Sequence, residues 1–130
     1  MNIRMLLAGA AALALISAPA FAEDYAGGAI KTADIGGKEV LTDANGMTLY
    51  TFDKDTAGVS NCYDQCATNW PPAMAAAGAA ADGDFTIVDR TDGTKMWAFK
   101  GMPLYLWVKD TKPGDVTGDG VGGVWHTAVE

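Results

Sequence analysis

Two similar stretches of the chain decide the fold: GMTLYTFDKDT at residues 46–56 and GMPLYLWVKDT at residues 101–111. Seven of the eleven aligned positions are identical at an offset of 55 residues, and the same offset places Trp70 on Trp125. Self-similarity at a fixed offset indicates a duplicated structural unit. Because neither short unit can bury an apolar face alone, we expect the two copies to pack into one core.

The sequence around each copy has the pattern of antiparallel β-strands. Asn45-Gly46 favours a tight turn between residues 39–41 and 49–52, and Asp92-Gly93 separates two further strand-like runs. Pro103 cannot donate a ladder hydrogen bond, which predicts an edge or the start of a strand. We therefore predict a mainly β fold, a small antiparallel domain of two repeats at about 40–73 and 95–129.

The rest of the mature chain is expected to be less regular. The segment from Cys62 to Trp70 is predicted to form a short helical turn or loop, ended by Pro71-Pro72, and residues 73–81 read as an Ala/Gly-rich linker. We expect residues 38–130 to form a single β domain, preceded by a flexible N-terminus over residues 23–37.

Residues 1–22 have the pattern of a cleaved signal peptide. Arg4 precedes an apolar stretch, and Ala20-Phe21-Ala22 matches a processing site. The mature protein is therefore expected in the periplasm or outside the cell. No cysteine follows the processing site, so we expect no lipid anchor and no membrane span after processing.

The composition agrees with one folded, acidic domain. The 130 residues are 49% hydrophobic and 19% charged, and the formal net charge is −7. Such a charge disfavours binding to nucleic acid or to anionic lipids. We expect a monomer whose partner is an envelope component or a small ligand.

The duplicated motif resembles that of a known family, the bacterial secreted repeats of unknown function, described as predicted lipoproteins with a Y-x-[FWY]-x-x-D motif. Both copies match, with Tyr50, Phe52 and Asp55 in the first and Tyr105, Trp107 and Asp110 in the second. The similarity extends to the segments that end in Trp70 and Trp125. The resemblance implies no established activity.

The motif residues have a structural and a binding interpretation. On a strand, a Tyr and an aromatic residue two positions later point to the same face, while Asp55 and Asp110 follow near the strand ends. Aromatic residues with this spacing build a core, and an Asp at a strand end accepts hydrogen bonds from turn amides. The alternative is a pair of ligand sites, but duplication favours structure, since packing must be rebuilt in every copy.

Cys62 and Cys66 are candidates for a disulfide bond. Their spacing on a regular helix leaves the Cβ atoms too far apart, so a bridge requires a distorted turn. An oxidising compartment favours this bridge. A redox-active pair is the alternative, although the sequence has neither C-x-x-C spacing nor a basic neighbour that would lower a thiol pKa.

No cofactor is expected, with copper as the alternative. Met47, Met102 and His126 are the candidate ligands, because copper selects soft sulfur and imidazole donors. Catalysis is not expected, because a single His and the absence of a nucleophile motif indicate no pairing of nucleophile and base. We therefore expect an exported non-enzymatic binding or envelope-interaction module, with a copper-handling protein as the alternative.

Overall fold

The structure is a computed structural model of the chain and describes residues 23–130. The predicted signal peptide, residues 1–22, lies outside the described residues. No helix in the described part is long and apolar enough to cross a membrane.

Antiparallel strands dominate the described residues. The elements, in chain order, are β1 Asp24–Tyr25, β2 Ile30–Ile35, β3 Lys38–Asp43, β4 Tyr50–Phe52, α1 Gln65–Asn69, β5 Phe85–Asp89, β6 Lys95–Phe99, β7 Met102–Pro103 and β8 Trp125–Thr127. They form three small sheets in the orders β1-β2-β3, β4-β8 and β5-β6-β7. The predicted mainly β class, its two repeats and the short helix after Cys62 are confirmed, and Pro103 lies in the edge strand β7.

The two repeats meet at Tyr50 and Tyr105. The Tyr50 amide donates to the Tyr105 carbonyl at 2.8 Å, and the Tyr105 amide donates to the Tyr50 carbonyl at 2.9 Å. Antiparallel residues that exchange both hydrogen bonds are related by a local twofold axis. Equivalent residues of the two repeats therefore face each other across a pseudo-twofold axis at the centre of the molecule.

Each repeat pairs its motif strand with the closing segment of the other repeat. The Ala128 amide donates to the Leu49 carbonyl, and the equivalent Ala73 amide donates to the Leu104 carbonyl, both at 2.9 Å. The strand β8 of the second repeat consequently lies against β4 of the first. The counterpart of β8 contains Pro71-Pro72, which lack amide donors, so that segment forms only an isolated bridge with Tyr105.

A hairpin precedes the motif in each repeat, β2-β3 in the first and β5-β6 in the second. The offset between copies is 55 residues in β2 and β5 but 56 in β3 and β6, since Thr32 pairs with Leu41 and Ile87 pairs with Trp97. One extra residue in the turn between β5 and β6 causes this shift. Comparison at one fixed offset therefore misses the hairpins, and each repeat begins earlier than the sequence predicts.

The segment predicted to be flexible, residues 23–37, contains β1 and nearly all of β2. Ile30 and Thr32 are almost fully buried, and the Thr32 amide donates to the Glu23 carbonyl at 2.9 Å. The alternation of buried and more exposed residues along β2 is the pattern of a strand with one face on the core. The flexible-terminus prediction is therefore corrected to an ordered hairpin arm.

The Ala/Gly-rich linker is also partly built into the fold. Ala73 accepts a hydrogen bond from the Trp97 amide at 2.8 Å, and the Ala75 amide donates to the Lys95 carbonyl at 3.0 Å. The segment thus lies along β6, and small side chains allow this close approach of two backbones.

Two buried clusters form the core. One contains the motif aromatic residues together with Val88 and Met96, and the other contains equivalent residues from the two repeats. The second cluster consists of the pairs Ile30 and Phe85, Leu41 and Trp97, Leu49 and Leu104, and Ala73 and Ala128. Both clusters draw on both repeats, which supports a single core.

Candidate functional site

The motif tyrosines and aspartates pair across the repeats rather than within them. The Tyr50 hydroxyl donates to Asp110 Oδ2 at 2.6 Å, and the Tyr105 hydroxyl donates to Asp55 Oδ2 at 2.7 Å. Both tyrosines are fully buried, and both aspartates are buried. The two copies are therefore joined by reciprocal side-chain bonds across the pseudo-twofold axis.

The second oxygen of each carboxylate binds a loop amide. Asp55 Oδ1 accepts from the Asn61 amide at 2.7 Å, and Asp110 Oδ1 accepts from the Thr117 amide at 3.0 Å. Hydrogen bonding of this kind satisfies a buried carboxylate and fixes the loop that follows each motif. The predicted bond from Asp to turn amides is found in both copies, whereas the cross-repeat tyrosine partner was not predicted.

Burial shifts the acidity of this polar frame. It raises the pKa of Tyr50 and of Tyr105 well above the usual phenol value, and the hydrogen bond to an aspartate raises each pKa further. Burial also raises the pKa of Asp55, although hydrogen bonds from Tyr105 and the Asn61 amide and the charge of Arg90 oppose the shift. Both phenols therefore stay protonated and can donate at neutral pH.

The raised pKa of Asp55 predicts a pH dependence of stability. Because the folded state binds the Asp55 proton more tightly than the unfolded state, the wild-type contribution is largest below the ordinary Asp pKa. That contribution is lost as pH rises through the folded pKa. Urea unfolding between pH 3 and 7 should show wild type losing stability relative to Asp55→Asn as pH rises. Exposed Asp34→Asn is the control, and a difference that grows with pH contradicts the prediction.

Four stacked rings cross the centre of the molecule. Trp70 and Trp125 stack with ring centroids 3.7 Å apart, and Trp107 and Phe52 extend the stack at 4.0 Å and 4.2 Å on the two outer faces. The order is Phe52, Trp125, Trp70 and Trp107, so rings of the two repeats alternate at the axis. Stacking of large rings adds to the energy of area burial.

The tyrosines lie edge-on to this stack, which brings all eight motif residues into one frame. Tyr50 meets Trp70 at 5.4 Å and Tyr105 meets Trp125 at 5.2 Å between centroids, each nearly perpendicular. Gly118 is required beside the stack, since a Cβ there would lie 2.8 Å from the Trp70 ring. Burial of this frame leaves little of it exposed to a ligand.

Cys62 and Cys66 form a disulfide bond. Cys62 precedes the helix α1 and Cys66 lies within it, with Asp64 between them at a positive φ of 56°. This distorted turn brings the Cα atoms to 5.2 Å, within the range that a disulfide requires. The sulfur atoms of the two cysteines are thereby removed from the candidate metal ligands.

Removing the disulfide should destabilise the fold moderately. The loop-entropy estimate for five residues is about 2 kcal/mol. The double variant Cys62→Ala with Cys66→Ala is expected to lose about this much unfolding free energy in urea, with further loss from the packing of buried Cys62. Alkylated wild-type protein serves as a second form without the bridge. Unchanged stability in both forms contradicts the prediction.

Arg90 is a buried cation that sequence analysis missed. Its guanidinium donates to Ser60 Oγ and to the Cys62 carbonyl, both at 2.9 Å, and its Cζ lies 4.1 Å from the centre of the Tyr63 ring. Ser60 in turn bonds the Tyr105 hydroxyl at 2.5 Å. An arginine after a strand normally lies on the surface, so no local signal distinguishes Arg90.

The candidate copper ligands are not drawn into one cluster with the cysteines. His126 Nε2 bonds Asp53 Oδ2 at 2.8 Å on the exposed face of β8, and Met47 and Met102 are half-buried at equivalent positions. Within residues 23–130, no three His, Cys, Asp or Glu side chains are placed to hold a metal ion. Copper binding through methionine and His126 stays a prediction, and Cu(I) titration followed by calorimetry tests it. No binding to oxidised or reduced protein contradicts it.

A surface groove of about 450 Å³ lies beside His126. Its walls are mostly aliphatic and its polar groups come from three elements; the lining residues are Ile35, Gly36, Lys38, Val40, Val116, Asp119, His126, Thr127 and Val129. Concave sites of this size, with apolar walls and a few converging polar groups, are typical of small-molecule binding. The groove is hereafter called the His126 groove.

Two other cavities, of about 210 and 520 Å³, adjoin each other near Trp97. They share Ala29, Ala44, Met74 and Trp97 as lining residues, and alanine and glycine form most of the larger one. The Trp97 indole nitrogen is buried and has no hydrogen-bond partner among the described residues. These cavities offer fewer charged groups than the His126 groove, which makes the groove the stronger candidate.

The chain belongs to a family of secreted proteins built from an internal repeat. Residues 29–74 and 86–129 each match the family described as a secreted repeat of unknown function. The matched ranges begin at the β2-β3 and β5-β6 hairpins, in agreement with the pseudo-twofold axis. The family resemblance inferred from the motif is thus confirmed. No curated protein and no solved structure matches the chain.

Proposed function

We propose that this protein is an exported, non-enzymatic binding module whose ligand occupies the His126 groove. The supporting observation is the contrast between the duplicated motif residues, which are largely buried in the central frame, and the groove, which is open and occurs in one repeat. Packing must be repeated in each copy, whereas a binding site need occur only once. The single-copy groove is therefore the better candidate for function.

The groove residues are suited to binding rather than to bond cleavage. His126 is held by the Asp53 carboxylate, and Asp119 Oδ1 accepts from the Thr127 amide at 2.9 Å. No nucleophilic side chain lines the groove among the described residues. Aliphatic walls from Ile35, Val40 and Val129 can bury an apolar part of a ligand, and the polar side chains at the rim can orient it.

Protein-observed NMR with a library of small organic molecules tests the proposal. Compounds that bind should perturb the amides of Val116, Asp119 and Val129 and leave those of the buried frame unchanged. The variant Val116→Trp should fill the groove and abolish these shifts, and Val108→Trp, at an exposed position elsewhere, should not. Perturbations confined to the Trp97 cavities would place binding elsewhere and contradict the proposal.

The non-enzymatic part has its own test. Purified protein is incubated with a panel of envelope substrates, and product formation is followed by mass spectrometry. No turnover is expected. Turnover that is lost on changing Asp55 or Asp110, in variants that stay folded, contradicts this part.

A further inference from the structure

The pseudo-twofold axis gives each wall residue of the His126 groove a counterpart in the second repeat. The bridge between Val40 and Val129 corresponds to the bridge between Met96 and Met74. Ile35, opposite Lys38 in the first hairpin, corresponds to Arg90, whose amide bonds the Thr94 carbonyl. The counterparts of the aliphatic walls therefore surround Arg90.

Val116 also has its counterpart at the Arg90 site. Val116 and Ser60 each directly precede the residue whose amide binds the motif aspartate, Thr117 for Asp110 and Asn61 for Asp55. Ser60 accepts from Arg90 Nη1 at 2.9 Å, and Met96 Sδ lies 3.8 Å from the same nitrogen. Both residues that touch Nη1 thus correspond to walls of the groove, Val116 and Val40.

The second repeat fills this space with its own side chains. Arg90 is only 5% exposed, and its guanidinium lies against the Tyr63 ring. Tyr63 corresponds to Gly118, because the Cys66 amide bonds the Tyr63 carbonyl as the Val121 amide bonds the Gly118 carbonyl. The first repeat therefore has Ile35 in place of the cation and Gly118 in place of the ring. The groove is the unfilled copy of a site that holds a flat cation on an aromatic ring.

We propose that the His126 groove binds an organic cation, whose planar charged group and apolar body take the places that Arg90 and Tyr63 occupy in the second repeat. This inference rests on the proposed function and adds the chemical class of the ligand. Free amidines and guanidines carry this chemistry, and so does an arginine side chain of a partner.

The charges near the groove agree with a cationic ligand. Asp119 is an exposed carboxylate that lines the groove, and the Asp53 carboxylate lies behind His126. Lys38 is a positive charge at the rim and opposes the ligand, but the chain as a whole carries −7. The net field of the protein attracts cations, and the aliphatic walls favour a cation with an apolar body over a small inorganic ion.

Three isosteric probes separate charge from shape: benzamidine, benzamide and benzoate. Titrations followed by NMR should show benzamidine binding in the groove about tenfold more tightly than benzoate, with neutral benzamide between them. A blocked peptide, acetyl-Gly-Arg-Gly-amide, is titrated in parallel. Tighter binding of the peptide indicates a protein partner as the source of the cation, and tighter binding of benzamidine indicates a small molecule.

Two variants copy the second repeat into the first. Ile35→Arg should supply the missing guanidinium internally and abolish benzamidine binding, whereas exposed Thr86→Arg adds the same charge on β5 and should leave it unchanged. If Ile35→Arg does not fold, Val129→Met, which copies Met74 at an exposed position, should weaken binding by narrowing the groove. Asp119→Asn keeps an oxygen for the Thr127 amide and should weaken benzamidine binding about threefold to tenfold.

The outcomes distinguish this inference from the function on which it rests. Groove binding in which benzoate equals or exceeds benzamidine overturns the cationic class and leaves the binding module intact. Full binding by Ile35→Arg overturns the correspondence with the Arg90 site. If no compound of the wider library and none of these probes perturbs the groove, both proposals are wrong.

Discussion

Replacing Trp125 by alanine is expected to lower the free energy of unfolding by about 3–5 kcal/mol, as measured by urea unfolding followed by circular dichroism. Trp125 is 5% exposed and stacks on both faces, with Phe52 on one side and Trp70 on the other. Truncation leaves a cavity at the centre of the frame and removes the edge contact with Tyr105. Such a loss is a large part of the total stability of a small domain.

Trp107→Ala is the matched control for this change. Trp107 lies at the outer end of the same stack, is half-buried and contacts Trp70 on one face only. Its truncation is expected to cost about 1–2 kcal/mol. Equal losses at Trp125 and Trp107 contradict the view that the centre of the stack, rather than its area alone, stabilises the interface between repeats.

The second large effect is expected at the cross-repeat tyrosine and aspartate pairs. A double-mutant cycle with Tyr50→Phe and Asp110→Asn should give a coupling energy of about 1–3 kcal/mol, since each single change leaves a buried partner unsatisfied. The equivalent cycle with Tyr105→Phe and Asp55→Asn should give a similar value. Unfolding in urea at pH 7 supplies all four free energies of each cycle.

A third cycle discriminates the exchanged arrangement from a conventional one. Tyr50→Phe combined with Asp55→Asn joins two residues of the same repeat, whose side chains do not bond each other. Coupling in this cycle is expected to be much smaller than in the cross-repeat cycles. A larger coupling within a repeat than between repeats contradicts the reciprocal pairing.

Much of the fold could be predicted from the sequence because the motif is duplicated. Identity at a fixed offset predicted the shared core, and the turn residues Asn45-Gly46 and Asp92-Gly93 predicted the hairpins. The signal failed at β2, where Ile30 and Phe85 are equivalent but differ in sequence, and the extra turn residue shifts the register of the next strand. Residue identity therefore understates the repeat, which its hydrogen bonds define.

The site was less predictable, for reasons of geometry. Sequence spacing indicates which residues share a strand face, but it does not indicate that Tyr50 bonds Asp110 rather than Asp55. Arg90 carries no local signal of burial, because its partners Ser60 and Tyr63 are distant along the chain. The His126 groove exists because Ile35 and Gly118 are smaller than their counterparts, and a sequence comparison recovers this only once the axis is known.

The exchange of closing segments affects when the chain can fold. Since β8 contains some of the last residues of the chain and lies against β4, the central frame cannot close until nearly the whole polypeptide is available. Neither half contains a complete set of partners, so a fragment ending after the first repeat should stay unfolded. A protein that acquires its structure only once its C-terminus arrives is well suited to crossing a membrane as an extended chain.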